Sequence, residues 1–248
     1  MPHPTNDPEP LTRRAAFDAR VSSIAALGEP VRRALYRYVV AQPSAVSRDD
    51  AADGVGVARH TAKFHLDRLA ADGLLEIEFR RPGGRGGPGA GRPAKLYRRS
   101  AREIDVSLPE RRYDLAGQLM ARAIIDADRE HVAVTAALAG AARDTGRSLG
   151  ELAVAQADSA PNDRTLAAQL CDVLEELGYE PHLEDSGISL ANCPFHALAA
   201  EYTDLVCGMN LELVSGLIGG LGHVDLDAHL EPCDGMCCVR LRRREQSG

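Results

Sequence analysis

The stretch Arg59-His60-Thr61-Ala62-Lys63-Phe64-His65-Leu66-Asp67-Arg68-Leu69 decides how the first hundred residues fold. Ala62, Leu66 and Leu69 recur at the spacing of a helix with one buried stripe. Arg59, His60 and Lys63 fall near its N-terminal end and off the stripe, so they should face solvent. His65 lies beside the stripe and reads as a buried structural histidine. The helix is expected from about Ala58 to Asp72, where Gly73 is a natural stop.

Upstream, helical spacing begins near Phe17 and runs through Val21, Ile24 and Leu27. Glu29-Pro30 opens a second helix with Val31, Leu35, Tyr38 and Val39 on one side, proline being favoured in the first turn. Ser47 with Asp50 resembles a capping box and starts a short third helix. Gly54-Val55-Gly56 makes the turn into the decisive stretch. Downstream, Leu75-Glu76-Ile77-Glu78-Phe79 alternates as a strand, followed by Arg80-Arg81 and the glycine- and proline-rich loop 82–93. A second strand follows, Ala94-Lys95-Leu96-Tyr97-Arg98. A phosphate-cradling loop needs a helix after it and a Gly-Lys-Ser/Thr, and neither is present. The loop is therefore the tip of a β-hairpin wing.

Three helices, a fourth with an exposed basic end and a two-stranded wing form a winged helix-turn-helix. Such a fold places the N-terminal end of its recognition helix in the major groove of double-stranded DNA. Arg59, His60 and Lys63 would meet bases there, and Arg68 a phosphate. Arg80, Arg81, Arg85 and Lys95 on the wing add cations, and Arg92, held extended between Gly91 and Pro93, suits a narrow minor groove. Charge agrees. Residues 1–100 hold 17 Lys+Arg against 11 Asp+Glu (+6), and residues 101–248 hold 12 against 25 (−13), which together give −7. Only the basic half is expected to meet a polyanion.

Beyond the wing, residues 103–112 read as a linker. A long helix then starts near Tyr113, with Leu115, Leu119, Met120 and Ile124 on one side, and continues to about Ala142. It is expected to pair two protomers in a homodimer, the alternative being that it packs within one chain. From Thr165 the pattern is helix, strand, strand, helices, strand, strand, an α+β arrangement. The organisation is thus a tail (1–16), a winged helix-turn-helix (17–101), a linker and dimerisation helix (102–150) and an α+β sensor domain (160–248).

The sensor half holds all six cysteines. The N-terminus shows no basic region followed by an apolar run. The most continuous apolar stretch, 133–142, is too short to cross a bilayer. A cytoplasmic protein without membrane contact is expected, and reduced thiols there point to metal or redox chemistry. Cys171 sits beside the stripe Leu166, Leu170, Leu174, Leu177 and reads as core. Cys193, in Asn192-Cys193-Pro194-Phe195-His196, is placed at a helix N-cap, and Cys207 in the first turn of the next helix, where thiolate is favoured. Strand alternation puts Cys237 inward with Val239 and Leu241, and Cys238 outward with Arg240. Cys233, beside Asp234-Gly235, is a candidate fourth ligand. No tight Cys-x2-Cys knuckle is present. Spread thiolates suit a polynuclear cluster at least as well as one tetrahedral ion, and spacing alone leaves iron–sulfur and zinc both open, with His196 or His223 completing a zinc site. A metal-free thiol switch is a third reading. Cys207 with His196 lacks an oxyanion loop and an oriented acid, so neither an enzyme nor a small-molecule substrate is expected.

Ala26-Leu27-Gly28-Glu29-Pro30-Val31-Arg32-Arg33 and Thr61–Leu69 resemble the arsenic-repressor-like bacterial regulators over about residues 17–100. Asn192-Cys193-Pro194-Phe195-His196-x-Leu198-Ala199, then Val206-Cys207-Gly208-Met209-Asn210, then Cys237-Cys238-Val239 behind such a domain resemble the Suf-type repressors of iron–sulfur cluster assembly. That resemblance implies a dimeric repressor holding an iron–sulfur cluster through three cysteines per subunit. By position these are Cys193, Cys207 and Cys237, with the fourth ligand variable. Cys233 leaves the third ligand ambiguous.

Overall fold

The computed structural model describes residues 13–80, 93–156, 163–222 and 224–244. The tail 1–12, the wing residues Arg81, Arg85 and Arg92, and His223 lie outside them. The chain divides into two units, residues 1–106 and 107–248.

The N-terminal unit runs α1 (Arg13–Ala26), α2 (Pro30–Val40), β1 (Val46–Ser47), α3 (Arg48–Val55), α4 (Arg59–Ala71), β2 (Leu75–Arg80) and β3 (Ala94–Arg99). Glu29 caps α2 by accepting from the N–H groups of Val31 and Arg32. Ser47 and Asp50 form the reciprocal capping box at α3. Gly56 ends α3 in the left-handed conformation, φ 74°, which lets the chain turn sharply into α4. Ala62, Leu66 and Leu69 are fully buried with Leu35 and Ala51. His65 is nearly buried, with Nδ1 3.7 Å from Glu29 Oε2.

The three strands form an antiparallel sheet in the order β1-β3-β2. β1 is a strand that the residue pattern did not announce. It is two residues long and exists because Val46 and Ser47 pair with Tyr97 and Leu96. Along β2, Leu75 is buried, but Ile77 and Phe79 are exposed at 41% and 68%. Alternation predicts all three on one buried face. Only the Leu75 end lies against the helices, so Phe79 has the right phase and no core to enter.

The C-terminal unit runs α5 (Tyr113–Glu130), α6 (Val134–Ala155), α7 (Asp163–Glu176), β4 (Pro181–Glu184), β5 (Gly187–Leu190), α8 (His196–Glu201), α9 (Thr203–Leu221), β6 (Leu226–Leu230) and β7 (Val239–Arg243). Its antiparallel sheet has the order β4-β5-β7-β6, and Ile188, Leu190, Val239 and Leu241 are buried in the core shared with α9. Two expectations are corrected here. The single helix from Tyr113 to about Ala142 is two helices. His131 takes a left-handed conformation, φ 57°, and closes α5 through its N–H to the Ala127 carbonyl; no glycine or proline marked the break. Both helices, and the expected linker from residue 107 onward, belong to the C-terminal unit instead of forming a separate connector. Leu115 and Leu119 are buried as the stripe requires, while Ile124 is exposed.

Helix α9 is long and apolar enough to pass for a membrane span by length and composition, a stretch that the reading of 133–142 overlooked. In the fold it is a core helix, with Val206, Met209, Leu213, Val214 and Leu217 buried. It meets α6 backbone to backbone. A methyl on Gly146 would lie 2.0 Å from the Leu213 carbonyl oxygen, and one on Gly216 2.0 Å from that of Arg143. The two pairs Gly146/Gly150 and Gly216/Gly220 set this spacing, and close approach of that kind admits no side chain.

Candidate functional site

Two places in the molecule gather chemistry. The first is the exposed side of α4 with the neighbouring strands. Arg59 and His60 open α4 and are exposed. The helix starts at Ala58 without a side-chain cap, leaving free N–H groups and the positive end of the dipole there. Lys63 and Arg68 lie on the solvent side of α4.

Arg59, Lys63 and Arg68 are held in pairs. Arg59 binds Asp49 of α3 through two nitrogens. Lys63 lies 3.2 Å from Asp67, Arg68 2.9 Å from Asp72, and Arg80 2.8 Å from Glu78. Lys95 of β3 also reaches Asp67. Asp67 therefore joins α4 to β3, and it accepts from the Tyr97 hydroxyl at 2.7 Å as well. Burial works to raise the Asp67 carboxyl, but donation from Lys95, Tyr97 and Lys63 overcomes it and holds the group at about 2. The same burial and the Asp67 charge push the Tyr97 phenol up. A cleft of about 450 Å³ opens between Arg48, Lys63, Phe79, Lys95 and Tyr97. Phe64, 66% exposed on α4, and Phe79 are surface aromatics that the charge-based reading missed. Their signal was an apolar residue off the buried stripe.

The second place is the junction of the Cys193 turn, α9 and the start of β7. Cys193 is not at a helix N-cap. Phe195 is the N-cap and α8 begins at His196, so Cys193 sits in the preceding turn, its carbonyl accepting from the His196 N–H at 3.1 Å. Its thiol is nevertheless acidic. Donation from Cys237, helped by the Phe195 N–H and the Arg111 charge, outweighs burial and brings it down to about 7. Cys237, the donor to Cys193 and buried, is pushed up by that bond and by burial. Cys207 is the fifth residue of α9, one position beyond the first turn. Contrary to the expectation from the helix end, its thiol is pushed up to about 12, first by burial and then by its hydrogen bond with Cys238 and the charges of Cys193 and Asp204.

Four thiols thus interact in pairs, Cys193 with Cys237 and Cys207 with Cys238, and Cys193 also acts on Cys207. Cys238 takes the opposite side of the strand from buried Cys237 and Val239, as alternation expects, but it is half-buried and is not a bystander, because it hydrogen-bonds with Cys207. Cys233 is exposed and is not among the four. Cys171 is half-buried against the core, its thiol raised by burial and by Asp172 and Glu175. His196 is exposed at the start of α8. Among the described residues, no three His, Cys, Asp or Glu side chains converge as they stand on a point that would hold a single metal ion.

Four neighbours complete the thiol site; Asn192 and Asn210 lie in the cysteine motifs but the sequence assigns them no role, and it does not single out Arg111 or Tyr179. Asn210, buried one turn beyond Cys207, donates Nδ2 to Cys237 Sγ at 3.3 Å, and its Oδ1 accepts from the buried Tyr179 hydroxyl. Arg111 donates to Asn192 Oδ1 and, at 3.1 Å, to the Cys193 carbonyl. Asn192 donates to the carbonyls of Glu110 at 3.0 Å and Gly178 at 2.6 Å. Asn192 and Asn210 carry one signal, polarity beside the cysteines; Arg111 and Tyr179, distant from Cys193 and Cys207 along the chain, carry none.

Comparison with known proteins bears on the first place. The family model described as a helix-turn-helix domain matches residues 27–78. No curated protein and no solved structure matches the chain. The matched segment spans α2 through most of β2, including both helices of the motif and the basic face of α4. The N-terminal unit is therefore a helix-turn-helix domain, of the kind by which transcription regulators bind double-stranded DNA.

Proposed function

We propose that this DNA-binding regulator represses transcription as a homodimer and that an iron–sulfur cluster on its C-terminal cysteines sets its operator affinity. The single observation that carries the sensor reading is the meeting of four thiols from three separate segments, one of them drawn toward thiolate. Soft sulfur donors of this kind fit iron–sulfur clusters and zinc better than hard cations. Cys193, Cys207 and Cys237 are the proposed ligands, and Cys238 is a better-placed fourth than Cys233. Such a cluster, when bound, supplies a centre that responds to iron supply and oxidation. The chain's own residues prepare the place: Arg111 offsets negative charge beside Cys193, Asn210 fixes the Cys237 sulfur, and the buried walls limit water.

On the DNA side, Arg59, His60 and Lys63 would enter the major groove and Phe64 would meet thymine methyl groups. Asp49, Asp67 and Asp72 keep the cations extended and are exchanged for DNA on binding. Cluster-assembly genes are the first target to test. The decisive experiment measures iron and acid-labile sulfide on anaerobically purified protein, with its visible spectrum, and compares operator affinity before and after cluster removal. Brown protein with near-equal iron and sulfide, and with affinity that changes on removal, is expected. Colourless protein holding zinc overturns the cofactor, and equal affinities overturn the switch.

The bond between Cys193 and Cys237 favours one second reading, a metal-free thiol switch. A peroxide would transfer oxygen to the Cys193 thiolate, and Cys237 would displace water to close a disulfide. Mass spectrometry of peroxide-treated, metal-free protein would find that crosslink; its absence removes this reading.

A further inference from the structure

The segment that leads from the helix-turn-helix unit into the C-terminal unit is bound to the Cys193 turn. Arg111 reaches Asn192 Oδ1 and the Cys193 carbonyl. Asn192 Nδ2 returns to the Glu110 carbonyl, and the Arg112 N–H donates to the Pro194 carbonyl at 3.0 Å. Four hydrogen bonds therefore join residues 110–112 to residues 192–194. The division between the units falls at Val106 and Ser107, so Arg111 stands close along the chain to the point where the other unit begins. Arg112 is also the N-cap of α5, and α5 is anchored by buried Leu115, Ala116 and Leu119.

We infer that Arg111 and Asn192 form a latch that couples the state of Cys193 to the connecting segment, and through it to the DNA-binding unit. Neither is a candidate ligand or nucleophile; both are positioning residues. Asn192 is buried, with both ends of its amide engaged, so it cannot shift without leaving polar groups unpaired. A change at Cys193 that moves its turn (ligation, oxidation or alkylation) must stretch these bonds. α5 is held on its far side by the core, so the strain falls on residues 107–112. The inference rests on the reading of the cysteines as a sensor, and a coupling of this sort requires the two states to differ in just such contacts.

The test uses the full chain and hydrogen exchange of peptides covering residues 107–113. Blocking Cys193 with iodoacetamide should raise exchange at the Arg112 amide about tenfold or more, the scale of typical allosteric coupling. Arg111→Gln should reach that level without blocking, and blocking should add nothing further. Asn192→Asp, which keeps an acceptor for Arg111 but loses the donation to Glu110, should fall between, and it serves where Arg111→Gln fails to fold. Unchanged wild-type exchange after blocking overturns the latch. In the reconstituted protein, with affinities compared at equal iron content, the ratio of operator affinities with and without cluster should fall to about one in Arg111→Gln; a wild-type ratio in that variant likewise overturns the latch. A wild-type protein that takes up no iron instead defeats the cluster reading, and the iodoacetamide arm still decides the latch.

Discussion

The two units keep their reactive groups at opposite depths. In the N-terminal unit, Arg59, Lys63, Arg68 and Lys95 stand on the surface, each tied to a carboxylate that a polyanion can replace. In the C-terminal unit, Cys207 and Cys237 are buried, and Cys193 and Cys238 half-buried, where α9, a turn and a strand start converge. Surface charges act over about 8–10 Å at ordinary salt and tolerate loose placement. Thiol contacts need ångström placement, and the close glycine packing of α6 on α9 supplies the rigidity. The difference teaches where each unit is vulnerable: the first to salt and charge reversal, the second to single atoms added in its interior.

The largest effect that would break this contrast is at the thiols. Cys193→Ala should reduce iron and acid-labile sulfide to background, whereas Cys233→Ala should retain both, because Cys233 stands outside the interacting set. Equal loss in the two variants would place the site on the hairpin instead. Next in size is Gly216→Ala. A helix normally gains about 1 kcal/mol when alanine replaces glycine, but here the methyl meets the Arg143 carbonyl oxygen at 2.0 Å. Forced overpacking costs about 1–3 kcal/mol or more, so the clash should win. Calorimetry should show a lowered transition for the C-terminal unit and an unmoved one for the N-terminal unit; a raised transition would mean that α6 and α9 do not pack this closely.

A third comparison lies within the cysteines. With its thiol near 7, Cys193 should be alkylated at a rate that climbs as pH rises through about 7. Cys207, pushed up to about 12, should stay slow over that range. At pH 7 about half of Cys193 is thiolate, against about 1% for an ordinary thiol near 9,. Unfolding in urea should move the Cys193 profile upward by about two units. A profile that is the same folded and unfolded would show that Cys237 and Arg111 do not act on it.

The helix-turn-helix was legible because its determinants are local. Ala62, Leu66 and Leu69 fix the buried side of α4, and Ser47 with Asp50 fixes the start of α3, all within a few residues. β1 was not, since a two-residue strand is defined only by its partner β3. In the C-terminal unit the inward face of Cys237, Val239 and Leu241 followed from periodicity alone. The break at His131 did not, because a histidine in a left-handed cap leaves no gap in the apolar pattern. Nor did the pairing of Cys207 with Cys238, the role of Asn210 or the Arg111–Asn192 bonds, each of which joins residues separated by 27 or more positions. Spacing along the chain says which side of an element a residue takes, and nothing about which distant side it meets.

The smallest effect returns to the surface and asks whether the carboxylates restrain DNA binding. Asp67→Asn keeps an acceptor for the Tyr97 hydroxyl and removes the charge that holds Lys63 and Lys95. Exposed pairs are worth about 0.2–1 kcal/mol, so operator affinity at low salt should rise by no more than about fivefold. Its decline with salt should steepen by about 0.9 in log–log slope for each further phosphate contacted. Weaker binding would instead make Asp67 an organiser of the two lysines. Stability supplies the control. The folded Asp67 carboxyl is held at about 2, below its ordinary 3.8, so its contribution is present above about pH 4 and fades as pH falls toward 2. Wild type should therefore be more stable than Asp67→Asn at neutral pH, and the gap should close on acidification. A gap that persists at pH 2 would show that the substitution acts through packing beside Tyr97 and not through charge.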